Sequence, residues 1–152
     1  MQRTPTILLC CAALVVASGI ALARTNDQDP KKVDEFTGAN WESAMARLDS
    51  FAVRLQNEPH AVGVLFVYAG QNRRRGEADA FTRCMKDYLV MRRKVDVNRL
   101  VFVSGGYRNN LSIEFWIASA KTQIPKPTST IEPTSVRFKG KRISNWRSLC
   151  SI

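Results

Sequence analysis

The chain has a single histidine, His60, and 13 acidic residues against 23 basic ones in 152 positions. Its four cysteines fall as an adjacent pair, Cys10 and Cys11, and two distant singles, Cys84 and Cys150. No metal-ligand spacing can be assembled from that set, since zinc-type sites draw on several Cys or His donors at short, defined separations. His60 follows Pro59 and has no evident catalytic partner. Ser104 precedes Gly105-Gly106 without the flanking pattern of a nucleophile elbow. Asp34 and Glu35 read as ordinary charges on an edge strand. There is no Gly-x-x-x-x-Gly-Lys-Ser/Thr run to cradle a nucleotide, and no internal repeat. The expectation is a chain without metal, cofactor or catalytic constellation, and therefore not an enzyme.

What is present begins with the only long apolar stretch outside the body of the chain. Arg3 is followed by Ile7 to Val16, and Ala21-Leu22-Ala23 supplies the small-x-small pattern read by signal peptidase, so residues 1–23 are expected to be a cleaved signal peptide. The competing reading is a membrane span, because the apolar stretch from Thr6 to Ala23 approaches the roughly 20 residues a span needs. Cys10 and Cys11 sit too early, with no apolar region before them, to serve as lipid-anchored cysteines. The chain is thus expected to be secreted or periplasmic, with no transmembrane span after cleavage.

All the acidic residues and all but one of the basic residues lie after the cut, so residues 24–152 keep nearly all of the net charge of +10. Outside the cytoplasm such a balance points away from nucleic acid. Cell-wall polymers and lipid or glycolipid phosphates are the commoner anionic partners there, attracted by the same sequence-independent field. The alternative is a basic surface that only solubilises. Cys84 and Cys150 form an even pair in an oxidising compartment, which invites a disulfide. Closing a loop of about 65 residues adds roughly 4 kcal/mol by restricting the unfolded chain. Cys84 also lies on the apolar face of a helical pattern, where a free thiol serves as a small hydrophobe.

Residues 24–31 are polar and expected to be disordered. Val33 to Phe36 reads as a short edge strand. Asn40 is a helix N-cap ahead of Trp41, Leu48, Phe51 and Leu55 at helical spacing, and Asn57-Glu58-Pro59 stops that helix. Ala61 to Ala69 is apolar throughout, as a strand covered on both faces requires. Gly70 to Gly76 is a charged loop. Glu77 to about Lys94 is a second helix with Phe81, Cys84, Met85, Tyr88 and Leu89 on one side, and Arg92, Arg93 and Lys94 suit its negative end. Leu100 to Val103 and the alternating Leu111 to Ile117 are two further strands, expected to close the sheet as a hairpin. Pro125, Pro127 and Pro133 among Thr and Ser make 119–135 an extended linker. The end, 136–152, is a basic tail that either adheres to an anionic surface or packs lightly or not at all.

Strand, charged loop, helix and strand form a βαβ unit, whose first loop lies at the carboxyl end of its strand, where ligands usually sit. That loop carries Asn72, Arg73, Arg74 and Arg75 beside the start of the second helix. A helix N-terminus favours anions, and three guanidiniums strengthen it. Glu77 and Asp79 partly neutralise the cluster, and the plain alternative is a solvated charge run.

Lys86-Asp87-Tyr88-Leu89-Val90 followed by Val95-Asp96-Val97-Asn98-Arg99-Leu100-Val101, and the helix end Gln56-Asn57-Glu58-Pro59, resemble the peptidoglycan-binding domain at the C-terminus of outer-membrane protein A. The likeness covers residues 32–118. It implies an α+β fold, a two-layer βαβαββ sandwich with two helices packed on a mixed sheet. It also implies a noncatalytic envelope protein that contacts peptidoglycan or another anionic polymer. In that OmpA-like family an aspartate after the second strand and an arginine on the second helix hold the wall peptide. Here the aspartate position falls on or near Asn72. The arginine position falls on Phe81, with Arg83 two residues along, a rotation of about 200°. The expected ligand-binding set is Asn72, Arg73, Arg74, Arg75 and Arg83. A second reading is a protein-interaction module for another envelope protein that lost the wall ligand, with Tyr107 and Trp116 as exposed anchors.

Overall fold

The computed structural model describes residues 29–150. The expected signal peptide and positions 24–28 lie outside the described residues. Among the described residues no helix is long and apolar enough to cross a membrane. The elements run β1 (Lys31–Thr37), α1 (Trp41–Asn57), β2 (Ala61–Gly70), α2 (Glu77–Asp87), β3 (Leu100–Arg108) and β4 (Ser112–Ser119).

The Asn40 side chain accepts from the Ser43 N–H at 2.8 Å and starts α1, while the Glu58 N–H turns back to the Arg54 and Leu55 carbonyls and ends it. Ala44, Leu48, Phe51, Ala52 and Leu55 make its buried stripe. The second helix is shorter than its pattern suggested. After Asp87 it widens into a π turn, Tyr88–Arg92, which carries Tyr88 and Leu89 onto the core. Arg93 serves as more than a charge at the helix end. It is ion-paired with Asp49 of α1 and lies over the Tyr88 ring at 5.5 Å. The Tyr88 hydroxyl donates to Asp49 at 2.6 Å, and burial together with that bond pushes its phenol above the ordinary range.

The four strands form one mixed sheet in the order β1-β4-β2-β3. β2 and β3 are parallel, and β4 runs antiparallel to both β1 and β2. The hairpin expected between the third and fourth strands is therefore not formed. β2 lies between them, and the connection through Asn109 and Asn110 passes over its carboxyl end. Gly70 makes that crossing possible: a Cβ there would stand 2.3 Å from the Leu111 nitrogen and 2.6 Å from the Asn110 carbonyl carbon. Paired on both edges, β2 is an interior strand, in keeping with its side chains being buried on both faces.

Both helices lie on one face of the sheet. Leu65 and Val67 of β2 and Ile113, Phe115 and Ile117 of β4 pack there against α1, Phe81, Met85 and Leu89. Val64, Phe66 and Tyr68 point to the other face and meet Val101, Val103, Trp116 and Ile124. That second face is covered by the Pro-rich stretch expected as a linker. It is extended, as its prolines dictate, and it is anchored: the Thr128 N–H donates to the Tyr68 hydroxyl at 3.2 Å, and Ile131 pairs with Tyr107 of β3.

Arg108 binds this layer together. Its guanidinium stacks 3.5 Å from the Tyr68 ring centre, donates to Glu114 Oε1 of β4 at 2.7 Å and to Glu35 Oε1 of β1 at 3.0 Å, and holds the Thr128 hydroxyl at 2.8 Å. Glu114 is 5 % exposed, and its other oxygen accepts from Trp116 Nε1 at 3.0 Å. β4 is consequently buried along nearly its whole length rather than on alternate residues. Trp116 and Tyr107 are half-buried and engaged, Tyr107 with Phe138 of the tail at 6.1 Å, so neither is an exposed anchor. Asp34 accepts two bonds from Arg47, and Glu35 binds Lys32 as well as Arg108. These carboxylates are cross-links between elements.

Phe51, at 1 % exposure and 4.9 Å from the Phe115 ring, joins α1 to β4. Phe51→Ala is expected to cost about 3–5 kcal/mol, read as a lower urea midpoint with an unchanged slope. Glu35 has its carboxyl held below the usual range, chiefly by the hydrogen bond from Lys32 and next by that from Arg108, against the opposing effect of burial. A lowered folded-state value means the contribution is complete above the ordinary carboxylate range and disappears as pH falls through it. Carbon NMR is expected to place the Glu35 carboxyl titration below the ordinary glutamate range, and Arg108→Ala to move it back up.

Candidate anion-binding site

The loop leaving β2 is pinned to the far end of β3. The Gln71 and Asn72 N–H groups donate to the Arg108 and Asn109 carbonyls at 2.9 and 3.1 Å, and the Gln71 side chain donates to Asn109 Oδ1 at 2.8 Å. Gly76, at φ 81°, then reverses the chain into α2. Glu77, the first residue of the helix, is 2 % exposed. Its carboxylate accepts from Arg73 Nη2 at 2.5 Å and Nε at 3.1 Å, and from the Arg74 N–H at 3.1 Å. A carboxylate at this end also meets the positive pole of α2.

The three consecutive arginines therefore have different fates. Arg73 is held by Glu77 and shapes the loop. Arg74 is exposed, its stem lying against Gly140 of the tail. Arg75 is exposed and stands over the Phe138 ring at 5.6 Å. Asn72 is exposed beside the β3–β4 connection, on the part of the loop that binds Asn109.

Below Arg75 opens a cleft of about 450 Å³ between α2 and the carboxyl ends of β2 and β3. Val67, Ala69 and Phe102 form its floor, Asp79 and Thr82 its helical wall, and Phe138 lines it from the tail. A second, smaller groove lies on the other side of Gly76 and Asp79, between α2 and the tail, and holds Arg83, Arg142 and Trp146. Arg75 and Arg83 thus serve adjoining depressions rather than a single one. Phe81, on which the resemblance placed an arginine position, is fully buried with its ring 5.7 Å from Trp41.

The basic tail is folded back along this surface. Its Lys139 N–H donates to the Arg73 carbonyl at 2.9 Å and its Ile143 N–H to the Arg75 carbonyl at 3.1 Å. A short 3-10 turn, Trp146–Leu149, then packs on α2, and Cys150 forms a disulfide with Cys84. Cys84 is on the buried face of α2, as its place in the helical pattern indicated. Exposed Lys139, Lys141 and Arg142 thereby join Arg74 and Arg75 around the start of α2. Phe138 and Arg142 were not identifiable as site residues from the sequence, since more than 60 positions separate them from the loop. Among the described residues no three His, Cys, Asp or Glu side chains gather as a metal site. The arrangement offers guanidiniums and ammoniums, a helix N-terminus and a half-apolar cleft, which suits an anion carried on a larger ligand.

Glu77→Gln keeps the shape of the buried side chain and removes the charge that Arg73 and the Arg74 N–H require. It is expected to destabilise by about 1–3 kcal/mol, measured by urea unfolding, and to free Arg73 for solvent. No family model, no curated protein and no solved structure matches the chain, so the geometry of this cationic cleft carries the functional argument.

Proposed function

We propose that the protein is a noncatalytic, exported binding domain that contacts an anionic envelope polymer, peptidoglycan first, through the cationic end of its β2–α2–β3 unit. One observation carries the reading. Two cationic runs far apart in sequence, Arg74-Arg75 and Lys139 to Arg142, are held side by side by two backbone hydrogen bonds, with Arg75 lining one cleft and Arg142 the adjoining groove. Cations gathered at the carboxyl end of a parallel strand pair make a surface for carboxylate- or phosphate-bearing polymers. The order strand, helix, strand, helix, strand, strand is the one that the resemblance to the OmpA-like family implies, and it supports the same reading. The ligand contacts differ from that family's, because Asn72 lacks the negative charge and Phe81 is buried. In this reading the wall is met by Arg74, Arg75 and the tail, with Arg83 at the flank. The protein is periplasmic or secreted, as its N-terminal sequence suggests.

The test is co-sedimentation of the purified protein with insoluble peptidoglycan sacculi across a salt series. The expected result is binding at low salt that weakens as exposed charges are screened. An R74A/R75A variant is expected to lose roughly tenfold in affinity, the effect of about 1.4 kcal/mol. Arg73 is left intact because it belongs to the Glu77 ion pair. If the wild-type protein stays in the supernatant at low salt, the wall reading fails. A protein-interaction module would then be the better description, sought by cross-linking in envelope extracts.

A further inference from the structure

The tail that completes this surface is held by one covalent bond, by its 3-10 turn packed on α2, and by half-buried contacts of Phe138 with Tyr107 and Arg75. Phe138, Ile143, Trp146 and Leu149 are only half-buried, and Cys150, at 4 % exposure, is the one buried residue among those described in the tail. Two backbone hydrogen bonds join it to the loop. Arg137 donates only to carbonyls of its own neighbours, Thr134 and Val136. No described tail residue belongs to the core between helices and sheet. The preceding segment, in contrast, is held independently by Arg108, Tyr68 and the Ile131 bridge. Segments with few buried contacts open locally at low free energy while the core stays closed.

We propose that the Cys84–Cys150 disulfide is a redox clasp on the site described above. Opening it frees residues 136–150 as a unit, withdraws Phe138 from the cleft and Arg142 from the adjoining groove, and lowers anion binding, with the sheet and helices still folded. The proposal rests on the anionic-ligand reading for its effect on binding. The co-reactant is a dithiol: one thiolate attacks a sulfur of the bond to give a mixed disulfide, and the second thiol resolves it. The S–S bond takes up two electrons and two protons, leaving Cys84 and Cys150 as thiols and the dithiol as a disulfide. Attack at Cys150 is favoured, because Cys84 is fully buried on α2 whereas Cys150 follows a single 3-10 turn that can fray. A reduced Cys84 fits its apolar position as a small hydrophobe.

The experiment compares the full oxidised chain, the same chain in dithiothreitol, and C150A, which removes the bond from the tail side without touching α2. Tryptic cleavage after Arg137, Lys139, Lys141 and Arg142, followed by mass spectrometry, is expected to accelerate at least about tenfold in both opened forms. Far-UV circular dichroism is expected to stay unchanged, and sedimentation with sacculi to fall several-fold. Equal cleavage in the closed and opened forms overturns the proposal. So does loss of helical signal on reduction, which would make the bond part of the core. A released tail with undiminished sedimentation overturns the regulatory role. No sedimentation by any form sinks the wall reading and that role together, while the cleavage rates still decide whether the clasp exists.

Discussion

The architecture depends on one constraint, that β2 is apolar on both faces and must be covered on both. The helices satisfy one side through Leu65 and Val67. Val64, Phe66 and Tyr68 face away from them, and leaving such side chains in water would forfeit about 1.5–3 kcal/mol each. Among the described residues, the stretch beyond β4 is the piece that covers them. Its prolines prevent it from pairing as a regular strand, so it crosses the face as an extended strap. Once it has crossed, it arrives at the end of β3, and the tail that follows is delivered to the loop at the start of α2. The cationic surface is thus a downstream consequence of covering a strand.

Buried charge is handled the same way in two places. Glu114 on the second face and Glu77 at the start of α2 are each nearly inaccessible, and each is met by an arginine and a further donor. Removing one partner of such a set leaves an uncompensated charge, which costs more than the intact set contributes. Arg108 therefore fixes the relation of β1, β2, β4 and the strap, and Arg73 fixes the loop that presents Arg74 and Arg75. Arginine suits both tasks, since its planar fork satisfies two acceptors at once and its face stacks on an aromatic ring, as Arg108 does on Tyr68.

The three-arginine run shows how a motif read in one dimension divides in three. Equal charges at adjacent positions look like a single site, yet Glu77, four residues on at the start of α2, captures the first of them from the loop. Its short spacing was the available signal. The same holds for Arg93, whose position at a helix end suggested only a dipole interaction until Asp49 of α1 was brought beside it. The approach of Phe138 and Arg142 to the loop had no comparable signal, because it depends on the path of the strap.

By itself the sequence determined the element order, the apolar stripes of both helices, the two-sided burial of β2 and the place of the charged loop at its end. Each of these follows from local periodicity or from a residue type whose backbone preference is strong. The even cysteine pair made a Cys84–Cys150 bond one of two readings, a free thiol on the apolar helix face being the other, and the structure has the bond. Only the tertiary structure decided that β4 enters between β1 and β2, because strand order depends on which edges are left unpaired. It alone decided that the Pro-rich stretch is a cover, and that the tail's cations stand beside Arg74 and Arg75. Those outcomes are set by long-range packing, where burying one face determines where a distant segment must go.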